Sequence, residues 1–368
     1  MKVLIVSGIW PPDVGGPASH APEVASFLLR RGREVEVVTT AASRPAEREY
    51  PIRWTSRRLP PGLRHLHGVL LIGHRARRVD VIYTTGLFGR TALAAALARR
   101  PYVVKLTADP AFERARGRGR FHGDVDEFQA AGGSPILRLL RDLTVRRAAH
   151  VFCPSAYLAE LAVRWGADPA RVDVLLNPAP VEIVLPPRDE LRARYGIDGP
   201  TLAFAGRLTA QKALEVAFEA VARVDGVTLL VAGDGPERKR LERLAGGRVR
   251  FLGATDRQGV LELFAAADAS LLSSSWENFP HAVVEALAVG TPVIATAVGG
   301  VAEVVRDGEN GLLVPAGDPA ALAAAIARFF ADGELRARLA AAAAPSVAAY
   351  APDTLFARLD AMLESATA

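Results

Sequence analysis

Residues 273–300 read SSSWENFPHAVVEALAVGTPVIATAVGG. The segment before it, ADASLLSSS, has the short apolar run of a buried strand. Trp276 to Phe279 then reads as a loop, Pro280 to Val289 as a helix, and PVIATAV as the next strand. Pro280 suits the first helical position and Gly290 the residue just past the helix end. Strand, helix, strand and a glycine turn in this order form the repeating unit of a parallel sheet with helical crossovers. Two carboxylates, Glu277 and Glu285, lie on either side of the helix start.

The same alternation runs outward in both directions. KVLIVS, EVEVVT, VIYTTG, YVVKLTA and HVFCPS read as strands in the first half, with helices near 20–31, 64–78, 90–99, 136–148 and 156–165. TLAFAG, TLLVAG, VRFLGA, ASLLSS, PVIATAV and GLLVPA read as strands in the second. The four prolines of NPAPVEIVLPPRDE (177–190) mark a linker. A chain of 368 residues suits two cores rather than one. The expected architecture is α/β: two doubly wound domains facing a central cleft. Their expected bounds are 1–180 and 181–350, with a helix in 351–368 crossing back to the first domain. The alanine-rich stretch 320–349 is helix-favouring.

Charge is distributed unevenly. Residues 1–200 hold 30 Lys+Arg against 20 Asp+Glu, and residues 201–368 hold 15 against 20. A basic first half attracts phosphates, anionic lipid or nucleic acid, although an arginine-rich genome produces the same surplus without function. No aromatic stacking motif accompanies it, so nucleic acid is not expected as a partner. The segment 57–78 mixes bases with leucines. It reads as a core-packed helix with a solvated basic face, or as an amphipathic helix resting on an anionic membrane. A single cysteine, Cys153, excludes an intramolecular disulfide. No apolar run reaches the ~18 residues of a membrane span, and the first residues lack the features of a signal peptide. The expected location is cytoplasmic, with peripheral contact at the inner membrane face as an extension.

In doubly wound sheets ligands bind beyond the carboxyl ends of the strands. AFAGRLTAQKA ends a strand at Gly206 and supplies Arg207 and Lys212, two cations suited to a diphosphate. VAGDGPERKR is a generic strand-to-helix turn. Glu277 and Glu285 are acceptors suited to hydroxyls, and the amides of Phe279 and His281 are donors for phosphate or sugar oxygens. In SGIWPPDVGGPASH, Gly15 and Gly16 permit close backbone approach, and His20 follows in the first helical turn. After Ala108 about 27 residues carry no clear helix or strand pattern, the length of a functional loop. Asp109 is expected at its start facing the cleft, with Glu113 near it. Asp124-Val125-Asp126 reads as solvated loop carboxylates rather than a metal site. No histidine or cysteine cluster has metal-ligand spacing.

GRLTAQK, AGDGP, FLGA and the long stretch from SSSWENFP to VPAGDP together resemble the retaining glycosyltransferases of family 4, which have the GT-B fold. The N-terminal MKVLIVSGIWPPDVGGPASH is similar to the first strand, glycine loop and helix of that family. The resemblance implies a nucleotide-diphosphate sugar, such as a UDP- or GDP-sugar, as donor substrate, with no cofactor and no metal. It implies that Glu277 binds donor-sugar hydroxyls, Glu285 the ribose, and Arg207 and Lys212 the diphosphate. Phe279 and Pro280 would line the sugar pocket with Asn278 and His281 beside them, and Leu252 and Gly253 would touch the base. Where relatives carry a histidine, this chain has Thr107, Ala108 and Asp109. Asp109 is therefore the candidate base or acceptor-positioning group, with His20 and Glu113 as acceptor contacts. The implied acceptor is a saccharide, a lipid-linked sugar or a small molecule. A sugar-nucleotide epimerase of the same architecture and a non-catalytic nucleotide-sugar-binding subunit are the rival readings.

Overall fold

Apolar, β-branched runs broken by amphipathic segments can bury both faces of a parallel sheet only beneath helices. The computed structural model describes residues 1–13, 16–121, 123–131 and 134–367. It divides into two units, Met1–Leu176 with Asp353–Ala368, and Asn177–Pro352.

In the first unit the strands are β1 (Lys2–Val6), β2 (Glu34–Ala41), β3 (Ile52–Ser56), β4 (Val81–Thr84), β5 (Tyr102–Lys105), β6 (His150–Cys153) and β7 (Val172–Val174). The helices are α1 (Gly16–Arg30), α2 (Pro61–Ala76), α3 (Phe88–Ala98), α4 (Pro110–Gly117), α5 (Val125–Ala131), α6 (Pro135–Arg147) and α7 (Ala156–Arg164). In the second unit α8 (Arg188–Tyr195), β8 (Thr201–Ala205), α9 (Leu214–Ala222), β9 (Thr228–Ala232), α10 (Arg238–Leu244) and β10 (Val249–Gly253) come first. Then follow α11 (Arg257–Ala266), β11 (Ala269–Leu272), α12 (His281–Ala288), β12 (Val293–Thr296), α13 (Val301–Val304), β13 (Gly311–Val314), α14 (Pro319–Ala331) and α15 (Gly333–Ser346). The last helix, α16 (Pro352–Ser365), packs on the first unit, where Phe356 meets Phe27 and Asp360 pairs with Arg33.

Both sheets are parallel. Their strand orders are β3-β2-β1-β4-β5-β6-β7 and β10-β9-β8-β11-β12-β13. The order reverses between β1 and β4 in one unit and between β8 and β11 in the other, and these switch points are where doubly wound folds bind ligands. The central strands are almost entirely buried, with Val3 to Val6 and Leu229 to Val231 fully so. No helix among the described residues is long and apolar enough to cross a membrane.

Two expectations are corrected. The segment after Ala108 is not one long loop: α4, α5 and the start of α6 occupy it. Asp109 caps α4 by accepting from the amides of Ala111 and Phe112 at 2.8 and 3.3 Å. Phe112, Phe121 and Phe128 then form a three-ring cluster that anchors α4 and α5. Pro280 is not the first helical residue but the N-cap of α12, with φ −87° and ψ 90°.

Candidate active site at the switch point of the second unit

Strand β8 ends at Ala205, and its loop places Arg207 exposed and Lys212 on a short 3-10 turn. Strand β11, the neighbour of β8 across the switch point, feeds the Ser273–Pro280 loop. The two loops are tied together. The amide of Ser275 donates to the Gln211 carbonyl at 2.9 Å, Ser273 Oγ donates to the Lys212 carbonyl at 2.8 Å, and Gln211 Nε2 donates to the Trp276 carbonyl at 2.9 Å.

Glu277 is thereby held with its carboxylate 6 % exposed. Lys212 Nζ pairs with it, Ser274 Oγ donates to the same oxygen at 2.7 Å, and Gln211 Nε2 lies 3.4 Å from the other. A buried carboxylate is costly unless paired and hydrogen-bonded, and this one is both. Backbone packing fixes it from behind. Gly299 has φ +48°, and a Cβ there would fall 1.8 Å from the Glu277 carbonyl oxygen. Gly233, φ +135°, stands in the same relation to Gly206, whose carbonyl oxygen a Cβ would meet at 1.9 Å. These glycines let neighbouring strand-end loops touch.

Glu285 is carried by α12 and mostly buried. Burial raises its pKa, and Arg257, with Nε 3.5 Å from Oε1, partly offsets that. Phe279 is buried and meets the His281 ring edge-on at 5.7 Å. The Asn177 side-chain amide lies 3.1 Å from His281 Nε2. Asn278 Oδ1 is buried without a hydrogen-bond partner among the described residues. Leu252 is exposed at the end of β10, and the Gly253 carbonyl accepts from Gly233.

The structure thus joins Lys212 directly to Glu277, and places Glu285 with Arg257 instead. Ser274, Gln211 and Arg257 are additions that no local sequence pattern signals. Arg207 has no ion-pair partner among the described residues.

In the first unit, Gly15 lies outside the described residues and Gly16 opens α1. His20 Nε2 is 2.8 Å from the Tyr83 hydroxyl, and its ring packs on Phe356. Asp109 is 1 % exposed, with Oδ2 accepting from Arg141 Nη1 at 2.7 Å and Gln129 Nε2 at 2.9 Å. It faces this network rather than open space. Glu113 lines a cavity with Thr107 and Ala108, apart from His20. Asp124 and Glu127 form a capping box at the start of α5, and Asp126 accepts from the Tyr157 hydroxyl. Among the described residues no group of three or more His, Cys, Asp and Glu could hold a metal ion.

Two family models match: Glycosyl transferase 4-like domain over residues 15–178 and Glycosyl transferases group 1 over 187–345. The D-inositol 3-phosphate glycosyltransferase of Xylanimonas cellulosilytica is 32 % identical over 90 % of this chain and 87 % of its own. The lipopolysaccharide core biosynthesis glycosyltransferase LpsE of Rhizobium meliloti is 43 % identical over 39 % of this chain, a match spanning 43 % of its own length. Among solved structures, Anabaena HepE in complex with UDP-glucose superposes with a TM-score of 0.81 at 23 % identity, covering 99 % of this chain and 100 % of that one. The fold is that of the GT-B glycosyltransferases. The chain belongs to the group 1 glycosyl transferases.

Proposed function

We propose that the chain transfers a glycosyl group from a nucleotide-diphosphate sugar to an acceptor hydroxyl, with retention at the anomeric carbon. The observation that carries the reading is the Lys212–Glu277 pair beside exposed Arg207, on adjoining loops of a switch point. A solved relative in fold, HepE, was crystallised with UDP-glucose, which supports a UDP-sugar as the first donor to try.

In this reading Arg207 and Lys212 hold the diphosphate, and Glu277, paired with Lys212, accepts from sugar hydroxyls. Glu285 takes the ribose hydroxyls. Phe279 and Asn278 stand beside the sugar, and Asn278 Oδ1 is a ready acceptor for one of its hydroxyls. The bond from the anomeric carbon to the diphosphate oxygen breaks, and a bond to the acceptor oxygen forms on the same face. The acceptor proton passes to the departing phosphate oxygen, and the nucleoside diphosphate leaves. Charge on that leaving group grows in the transition state, so Arg207 and Lys212 stabilise it more than the ground state. Each charge-assisted bond contributes about 1.5–3 kcal/mol. Asp109, enclosed by Arg141 and Gln129, is left out as base.

Release of nucleoside diphosphate from a panel of nucleotide sugars tests the reaction. Proton NMR of the first-formed product tests retention, and an inverted product sinks that part. A donor interconverted to another sugar nucleotide without acceptor would replace transfer by epimerisation.

A further inference from the structure

The first unit contains a cavity of about 770 Å³ between α2, α3, α4 and α6. Val69, Leu87, Phe88, Leu93 and Leu140 make much of its wall apolar. Five basic side chains also line it: His65, Arg90, Arg114, Arg118 and Arg141, the last of them paired with Asp109 and Asp142. Loops at the ends of β4 and β5, through Leu87 and Thr107, put it on the ligand-binding edge of this sheet.

The basic group is built into the fold. Arg90 lies across α2 at Gly68, where a Cβ would fall 3.1 Å from its Nη1 and 3.2 Å from its Cδ. Its Nε donates to His65 Nδ1 at 2.8 Å, so His65 is the neutral tautomer with its proton on Nε2. Burial lowers the pKa of both groups, and nearby Arg64 and Arg114 add to the effect. Arg90 Nη1 is buried and has no hydrogen-bond partner among the described residues. Arg64, Arg90, Arg114 and Arg118 have no acidic ion-pair partner among those residues either, whereas Arg33 pairs with Asp360 and Glu364, Arg57 with Asp13, and Arg141 with Asp109 and Asp142. One carboxylate, Glu113, lines the same cavity. Like charges gathered around a buried, unsatisfied guanidinium N–H are stabilised by an anion.

Large apolar side chains stand exposed on three of the helices that wall the cavity: Leu63, Leu66 and Leu70 on α2, Leu93 and Leu97 on α3, and Ile136, Leu139 and Leu140 on α6. Neither α2 nor α3 has a carboxylate. The one carboxylate of α6, Asp142, is paired with Arg141, and an apolar surface in which basic residues outnumber acidic ones fits an anionic bilayer.

We propose that this cavity is the acceptor subsite for a membrane lipid with an anionic head. Its phosphate sits on Arg90 and Arg114, and the first part of its chain lies along Leu87, Phe88, Leu93 and Leu140. The word acceptor rests on the glycosyl-transfer reading; the binding site does not.

The test uses the full chain with dodecyl phosphate as soluble probe, inorganic phosphate and dodecyl maltoside as controls, and vesicles of phosphatidylcholine with or without an equimolar share of phosphatidylglycerol. Dodecyl phosphate is expected to bind, both controls to bind at least about tenfold more weakly, and the protein to sediment only with the anionic vesicles. Arg90→Gln with Arg114→Gln should weaken dodecyl phosphate at least about tenfold and abolish sedimentation, with nucleotide-sugar affinity unchanged. Leu140→Glu, at a half-exposed position where folding is not at stake, should do the same by bringing a carboxylate to the wall. Inorganic phosphate binding as tightly as dodecyl phosphate makes this a simple anion site and overturns the proposal. Equal binding of dodecyl maltoside, or either variant binding like the parent, overturns it as well. Nucleotide-sugar affinity, read on the same samples, fails separately if the reading of the second unit is wrong.

Discussion

Lys212 and Glu277, 65 residues apart in the chain, form an ion pair whose carboxylate also accepts from Ser274. Glu277→Ala removes the counter-charge of a mostly buried ammonium. Turnover should fall at least about tenfold and stability by about 2–3 kcal/mol, a partly buried pair losing less than a fully buried one. Glu277→Gln keeps the shape and should lose turnover with less loss of stability. Nucleoside diphosphate release and urea denaturation read the two effects, and near-normal turnover in both variants would contradict the site.

Arg207 is exposed at the same switch point and has no ion-pair partner among the described residues. Arg207→Ala should leave stability within about 0.5 kcal/mol and cut turnover at least about tenfold. A turnover close to the parent's would remove Arg207 from the diphosphate clasp.

Asp109 has the opposite profile. Asp109→Ala deletes the α4 cap and leaves buried Arg141 with Asp142 as its remaining carboxylate partner among the described residues, so a loss of about 3 kcal/mol or more is expected by thermal or urea melts. Asp109→Asn keeps an acceptor for the cap. Its folded fraction should turn over within about threefold of the parent, well short of the loss that removal of a general base brings. A much larger drop would restore Asp109 as base.

Gly299→Ala drives a Cβ to 1.8 Å from the Glu277 carbonyl oxygen in a left-handed conformation. The loop must shift, carrying Glu277 with it. Donor affinity and stability should both fall, the latter by more than about 1 kcal/mol. Calorimetric titration with nucleotide sugar checks the first; unchanged affinity would show that the Glu277 loop tolerates the move.

Lys105 is fully buried on β5, donates to the Leu175 carbonyl, and has its pKa pulled by burial from 10.5 to about 7. From pH 7 upward the unfolded chain therefore holds a proton that the native chain has lost, and stability rises with pH. Cys153 works the other way above its ordinary value of 9, because burial pushes its pKa up to about 12 in the native state. The rise from Lys105 is thus expected between pH 7 and 9 and opposed beyond it. Urea melts across that window should show it, and Lys105→Met should flatten it; a slope that persists in the variant assigns it elsewhere.

The interior strands were legible because each is a short apolar run flanked by turn residues. Strands β3 (IRWTS) and β7 (VDV) were not, because β3 carries a single aliphatic residue, Ile52, and β7 is only three residues long. Helix α4 (PAFERARG) has too few apolar residues to show a helical face. It owes its place to the Asp109 cap and the packing of Phe112 on Phe121 and Phe128, which are contacts between segments. Within the site, Glu277, Glu285, Arg207 and Lys212 stood out through spacing and resemblance. Ser274, Gln211 and Arg257 did not, since a hydroxyl, an amide and one more arginine become informative only once two distant loops meet.

Helix α16 completes a unit whose other residues end at Leu176, and all of Asn177–Pro352 intervenes in the chain. At the two ends of that insertion the amide of Ala179 donates to the carbonyl of Tyr350 at 2.9 Å, so its entry and exit segments meet. During synthesis on the ribosome the inserted unit can therefore close before its host does. Arg33 meanwhile waits for Asp360, and Phe27 for Phe356. Nascent chains halted at Pro352 should contain a protease-resistant second unit beside a first unit that still lacks its final covering helix.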